Sequence, residues 1–304
     1  MKLNALDETT PVLIQGITGR AARVHARLMR EYGTRVVAGT TTGELDTVDG
    51  VPIFRNCRAA VDATGARVSL IMVPALSVLD AIKDAVESGI RLIVSVTEGM
   101  PVHDAIAALQ LVRAAGITWI GPSTPGLCIP DKIKLGFIPD VALAHGHLAV
   151  MSKSGTLSYE VCNRLVRHGH GQSFWVGVGG DLVKGTRFSD LLPLFADDPN
   201  THGIIVVGEI GGTEEEELAS ALSAADISKP VFVLIAGAQA KEGVTMGHAG
   251  ALVHGTHGSV ESKRASLTQA GAMVFETILD LVEEVDTAFA NRADSEALIG
   301  TRLV

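Results

Sequence analysis

Short apolar runs alternate with amphipathic stretches of helical spacing along this chain, and the alternation occurs twice. In the first half the runs are 11–15 (PVLIQ), 35–38, 68–73 (VSLIMV, stopped by Pro74), 92–96 and 117–120. Helical spacing covers 20–32, 78–88 and 102–115 between them. Strands separated by helices of about a dozen residues need crossover connections, which are right-handed and build a parallel sheet. The pattern restarts at His147, with runs at 147–151, 173–176, 203–207 and 230–235. Helices are predicted from the Ser152–Thr156 turn to about His168, over 214–225 and over 276–290. The fold class is therefore α/β, with two doubly wound units at 1–123 and 147–304. Pro122, Pro125, Pro130 and Pro139 interrupt the stretch between the units, with Gly126 and Gly136 among them. No long helix fits there. Residues 124–146 read as a Pro/Gly-rich connection, long enough to wall a site as well.

Composition removes several classes of function. Hydrophobic residues make up 47% and charged residues 19%, which excludes wholesale disorder. The net charge of −9 argues against a nucleic-acid partner, and all of it falls after residue 123. Cys57, Cys128 and Cys162 are too few and too scattered for a disulfide framework or a Cys-based zinc site. No apolar run reaches the ~18 residues of a membrane span. The acidic stretch Met1–Glu8 reads as neither a signal peptide nor a transit peptide.

Four places carry possible chemistry. Gly16-Ile17-Thr18-Gly19 lies between the first strand and the first helix, where backbone N–H groups and a helix N-terminus meet an anion. A tight turn with no ligand is the alternative reading. The dinucleotide fingerprint Gly-x-Gly-x-x-Gly fails there, because Arg20-Ala21-Ala22 follows. Ser154-Gly155-Thr156 repeats the arrangement in the second half, as an anion-binding turn or as a plain N-cap. Glu209, in Gly208-Glu209-Ile210-Gly211-Gly212, ends a strand and faces either the crevice or solvent. His248, in Met246-Gly247-His248-Ala249-Gly250-Ala251, stands between small residues, as an open nucleophile or a surface histidine. His254 and His257 are near it, at spacings that match no zinc pattern, so no metal is expected. The run Glu214–Glu217 reads as acidic residues opening a helix and complementing its dipole. The chain has no Gly-x-x-x-x-Gly-Lys-[Ser/Thr] loop for ATP, no Gly-x-Ser-x-Gly elbow and no His-Glu-x-x-His motif.

Taken in order, these motifs resemble one family, the α subunit of succinyl-CoA synthetase (succinate–CoA ligase). The resemblance rests on Gln15–Gly19, Thr97-Glu98-Gly99-Met100-Pro101, Ser152–Glu160 (SKSGTLSYE), Gly208–Gly212 and Met246–Ala251. Gly121-Pro122, Pro125-Gly126, Gly171-Gln172-Ser173 and Gly179-Gly180-Asp181 also fit. It implies a Rossmann-like CoA-binding domain followed by a flavodoxin-like ligase domain. By the same resemblance, CoA meets Gly16, Thr18, Gly19, Arg20, Ala21, Pro74, Val96, Thr97 and Glu98. His248 is the implied phosphoryl carrier, Glu209 accepts its ring N–H, Ser154, Gly155 and Thr156 hold the phosphoryl group, and Tyr159 contacts the acid. A separate β subunit of ATP-grasp fold would bind ATP or GTP with Mg, which accounts for the missing nucleotide loop. A cytoplasmic location in the tricarboxylic acid cycle, away from membranes, is implied as well.

The chain departs from that family at several points. Arg20-Ala21-Ala22 replaces Ser-Gln-Gly after the first motif. Glu44 stands near the position of a Lys that meets a CoA phosphate. Ser123-Thr124 replaces Asn-Cys, and Gly243-Val244-Thr245 replaces basic residues before the phosphorylated His. The carrier chemistry is thus better kept than the CoA and acid pockets. A divergent paralogue acting on another short acid, such as malate, is one alternative. A non-catalytic CoA-binding regulatory subunit is another, opposed by the intact Ser154, Glu209 and His248. An NAD-type oxidoreductase is opposed by the broken glycine fingerprint.

Overall fold

The first strand, β1 (Val12–Gln15), is buried along its whole length, as a parallel strand covered on both faces must be. In the computed structural model, which describes residues 2–237 and 258–300 with side chains to residue 290, β1 sits near the middle of a seven-stranded sheet. Around it lie α1 (Arg20–Glu31), β2 (Val36–Thr40), β3 (Thr47–Val48), β4 (Val51–Phe54) and α2 (Cys57–Thr64). β5 (Val68–Ile71), α3 (Val78–Glu87), β6 (Leu92–Ser95), α4 (Val102–Ala114) and β7 (Thr118–Ile120) complete this half. The spatial order is β3-β4-β2-β1-β5-β6-β7, parallel except for the β3–β4 hairpin. Without β3 this is the Rossmann order, reversing direction between β1 and β5.

A second seven-stranded sheet follows. It contains β8 (Gly126–Ile129), β9 (Ile133–Gly136), β10 (His145–Ser152), α5 (Gly155–Arg167), β11 (Gln172–Gly177), α6 (Phe188–Asp197) and β12 (Gly203–Glu209). α7 (Glu214–Ala224), β13 (Val231–Ala236), α8 (Val260–Gln269), β14 (Met273–Phe275) and α9 (Ile278–Gly300) close it. Its order is β14-β13-β12-β10-β11-β8-β9, and the five parallel strands follow the flavodoxin pattern with a reversal between β10 and β12. The predicted strands and helices appear within a few residues of their expected bounds, except that α9, expected to end at 290, runs to Gly300. Seven further elements, β3, β4, α2, β8, β9, α6 and α8, and the short β14, were not expected.

The stretch 124–146, expected as a connection, is more than that. β8 pairs antiparallel with β11, and β9 pairs with β8, so the prolines frame a hairpin that extends the second sheet. The hairpin also grips the first half. Thr34 Oγ donates to the Lys134 carbonyl at 2.7 Å and accepts the Lys134 N–H at 3.0 Å. The Gly136 N–H reaches Met29 Sδ at 3.3 Å, and the His25 and Phe137 rings lie 4.3 Å apart. Thr34 is only 3% exposed. Thr34→Val keeps the shape but leaves a buried donor and a buried acceptor unmet. A loss of about 1–3 kcal/mol is expected, read as a lower urea midpoint of unfolding.

Candidate active site

Ligands of open α/β sheets bind beyond the carboxyl ends of the strands, where strand order reverses. The sequence-derived site residues lie at such ends in both halves. In the first half, Gly16 leaves β1 with φ +79, and a Cβ there would lie 3.0 Å from Val73 Cγ1 and 3.1 Å from the Met72 carbonyl oxygen. Only glycine passes this point without strain. Gly19 is the N-cap residue of α1, with no side-chain capping bond, and the first turn of α1 contains no acidic residue. The leading amides of α1 therefore point outward unscreened, a fit for a diphosphate. Arg20 and Ala21 are exposed beside them. Pro74 is exposed after β5, while Val96, Thr97 and Glu98 follow β6. Thr97 Oγ donates to the Val73 carbonyl at 2.7 Å, which ties those two turns together. The structure thus gathers every CoA-type residue along one edge. Glu44 is exposed after β2 at that same edge, where Thr41 and Thr18 hydroxyls meet at 3.2 Å.

In the second half, β10 and β12 are adjacent and parallel, with Ser152 opposite Val207. Ser154 and Glu209 each follow that pair by two residues, so their turns emerge side by side. Ser154 caps α5: its Oγ accepts the Leu157 N–H at 3.4 Å, and its own N–H donates to Ser152 Oγ at 3.0 Å. This leaves the Gly155 and Thr156 amides, which have no helical acceptor, as the donors of the turn. The Tyr159 hydroxyl returns over this first turn, 3.6 Å from where a Gly155 Cβ would stand. Burial pushes its phenol far above the ordinary 10, so it remains a neutral hydroxyl. Glu209 is 6% exposed, a buried carboxylate rather than a solvated one.

His248, with His254, His257 and the segment Gly243–Thr245, lies outside the described residues. Gly237 and Gly258, the described residues that flank the stretch 238–257, can be placed. Gly237 ends β13 with φ +98 against Ile210, 2.9 Å from where its Cβ would be. Gly258 re-enters with φ +71, its would-be Cβ 2.8 Å from Gly211 Cα, and its carbonyl accepts the Gly211 N–H at 2.8 Å. Gly237 and Gly258 are thus both seated on the turn that follows Glu209. Gly258→Val combines a left-handed backbone with a backbone clash. A cost of at least about 2 kcal/mol is expected in thermal or urea unfolding, with unaltered CoA affinity.

The four-Glu run needs correction. Its residues do open α7, but Glu214 and Glu215 are 3% and 0% exposed and form a buried ionic cluster. Lys184 binds Glu214 at 2.8 Å, Lys153 binds Glu215 at 2.9 Å, and Lys263 binds Glu215 and Glu216. Burial pushes the Glu215 carboxyl up, but Lys153 and Lys263 outweigh it and hold it below its ordinary 4.5. Its stabilising contribution is therefore complete above pH 4.5 and is lost as pH falls through the lower folded value. The stability gap between wild type and Glu215→Gln is expected to narrow as pH drops from about 6 to about 3 in urea titrations. Sequence reading missed this cluster. The available signal was that four consecutive helical positions cannot all face solvent on a packed helix. Among the described residues no group of three or more His, Cys, Asp or Glu is arranged to hold a metal ion, and no helix is long and apolar enough to cross a membrane.

Comparison with known proteins agrees with this layout. The family model described as a CoA binding domain matches residues 7–99, and the one described as CoA-ligase matches 151–273. The chain is 44% identical over 281 residues to succinate–CoA ligase [ADP-forming] subunit alpha 1 of Archaeoglobus fulgidus, covering 92% of this chain and 96% of that one. This chain belongs to the succinate–CoA ligase α-subunit family. The Aquifex aeolicus member of the family is 42% identical over 283 residues, covering 92% of each. Among solved structures, ATP citrate lyase from Methanothrix soehngenii in complex with citrate and coenzyme A superposes with a TM-score of 0.84 at 22% identity. That match covers 95% of this chain and 51% of the lyase, so the chain spans about half the lyase's length and shares its fold. The Rossmann-like and flavodoxin-like halves are those of the succinate–CoA ligase α-subunit family.

Proposed function

We propose that the chain is the α subunit of an ADP- or GDP-forming acid–CoA ligase that makes an acyl-CoA from a short carboxylic acid, succinate or a relative such as malate, through phospho-His248. The observation that carries this is the meeting, at one strand-order reversal, of the α5 N-terminus, buried Glu209, and Gly237 and Gly258, the residues between which His248 lies in sequence. In this reading 1–123 binds CoA, 147–304 carries the phosphohistidine, and 124–146 lies between them. A partner β subunit of ATP-grasp fold supplies ATP or GTP with Mg, and the complex works in the cytoplasm.

The chemistry follows from the residue types. A neutral His248 ring nitrogen attacks the γ-phosphorus, an N–P bond forms, and the nucleotide leaves as its diphosphate. Glu209 accepts the other ring N–H, which sets the tautomer and offsets the ring's positive charge. The Gly155 and Thr156 amides and the α5 dipole hold the phosphoryl oxygens. The acid's carboxylate then takes the phosphoryl group, giving an acyl phosphate and free imidazole. Attack by the CoA thiol on the acyl carbon forms the thioester and releases phosphate, which takes up the thiol proton.

The test is intact-mass analysis of the complex with its co-expressed β subunit after incubation with ATP, then with GTP, at neutral to mildly alkaline pH. A phosphoryl increment that is stable in alkali, lost in acid and discharged by CoA with the acid is expected. No increment with either nucleotide would overturn the reading in favour of a CoA-binding regulatory subunit.

A further inference from the structure

Lys153 stands next to Ser154, where a lysine would be taken for a phosphate ligand. Its ammonium is instead turned inward. It is 5% exposed and bonded to Glu215 Oε1 at 2.9 Å and Oε2 at 3.0 Å, with Glu214 at 3.7 Å. Glu215 is the centre of this arrangement. Besides Lys153, it accepts the Glu209 backbone N–H at 3.0 Å and the Lys263 ammonium. Lys263, fully buried on α8, also donates to the Gly212 carbonyl at 3.0 Å and to Glu216 at 3.1 Å. A Cβ on Gly208 would stand 2.7 Å from Glu215 Oε1, so the strand end is shaped to admit this carboxylate.

One carboxylate thus binds the residue preceding the phosphate turn, the backbone of Glu209, and the helix that begins just after the His248 segment returns. Each of these pieces comes from a different element: the end of β10, the end of β12 and the start of α8. Charges of opposite sign alternate through the cluster, so removing one member strands a buried partner, whereas removing a neighbouring pair does not.

We propose that Glu215 is the positioning residue of the phosphoryl-transfer site, and that Lys153 serves it as a counter-charge rather than as a ligand of the phosphoryl group. The assignment rests on the ligase reading. Glu215 acts through Glu209 and the Ser154–Thr156 turn and touches no reacting atom. The charges of Glu215, Glu214 and Glu209 overcome the effect of burial and keep Lys153 protonated above its ordinary 10.5, consistent with a permanent internal ion.

A double-mutant cycle on the α/β complex tests it. The single-turnover rate of His labelling from radiolabelled ATP, the KM for CoA and the unfolding midpoint are measured for wild type, Glu215→Gln, Lys153→Met and the double variant. Each single is expected to slow labelling about tenfold or more per folded molecule, with an unchanged KM for CoA. The double variant keeps Lys184–Glu214 and Lys263–Glu216 paired, so it is expected to label several-fold faster than either single. Where a single fails to fold, Glu215→Asp carries the test: it keeps the counter-charge for Lys153 and Lys263, and labelling between that of the double and wild type, with an unchanged KM for CoA, supports it. A double no faster than Lys153→Met places Lys153 on the phosphoryl group and overturns the assignment. Glu215→Gln labelling at the wild-type rate overturns it too. Wild type that takes no label overturns the ligase reading itself, a separate outcome from labelled wild type with indifferent variants.

Discussion

Asn in place of His248 is expected to abolish phosphoryl labelling and to lower acyl-CoA synthesis by at least about 10⁴-fold, the scale on which enzymes lose activity when their nucleophile is removed. Asn approximates the size of the ring but has no lone pair of comparable nucleophilicity, because its amide nitrogen is delocalised into the carbonyl. Gly237 and Gly258 pack against the Ile210–Gly212 turn, contacts that the substitution at 248 leaves in place. Folding and CoA affinity are therefore expected to match wild type. Calorimetric CoA binding beside an intact-mass time course checks both halves of the statement. Residual labelling at another residue would place the carrier elsewhere on the chain.

Glu209→Gln is expected to slow His labelling by about 10²–10⁴-fold, again without weakening CoA binding. Gln keeps the length and the backbone N–H bond to Glu215, so the turn stays in place. In the proposed mechanism the change removes the negative charge set against the histidine and introduces an N–H₂ that can meet the ring in the wrong tautomer. At 6% exposure there is little water to screen the missing charge. The loss should appear in the single-turnover rate and not in the KM for CoA. Equal losses in both would mean that the substitution has disturbed the crevice as a whole.

The strands nearest the middle of each sheet were legible because burial on both faces leaves continuous apolar runs. β10 and β12 could be placed from Leu148–Met151 and Ile204–Val207 alone, and their carboxyl ends then located Ser154 and Glu209. α8 escaped for the opposite reason. Its sequence, VESKRASLTQ, shows no apolar stripe, since one of its three buried residues is Lys263. α6 escaped because Pro193 interrupts its pattern, although the helix continues through it. The hairpin of β8 and β9 was hidden by the prolines that frame it. The Glu run hinted at burial, but the partners in the ionic cluster were illegible because it joins residues 153, 184, 215 and 263, whose partnership exists only after the second sheet has formed. The motif residues themselves were accessible from sequence because glycine turns and strand ends are local features. What holds those turns still is not local.

The grip of the hairpin on α1 bears on where this polypeptide can be divided. Ser123 donates its N–H to the Thr97 carbonyl in the first half, whereas the Thr124 hydroxyl bonds the Gly177 carbonyl in the second. The seam of the molecule therefore falls between two successive residues. A gene split there yields pieces whose sheets are each complete, and Thr34, Met29 and His25 remain as a latch by which they can re-pair in trans. A split after residue 146 instead tears β8 from β11 and bares a strand edge that invites aggregation.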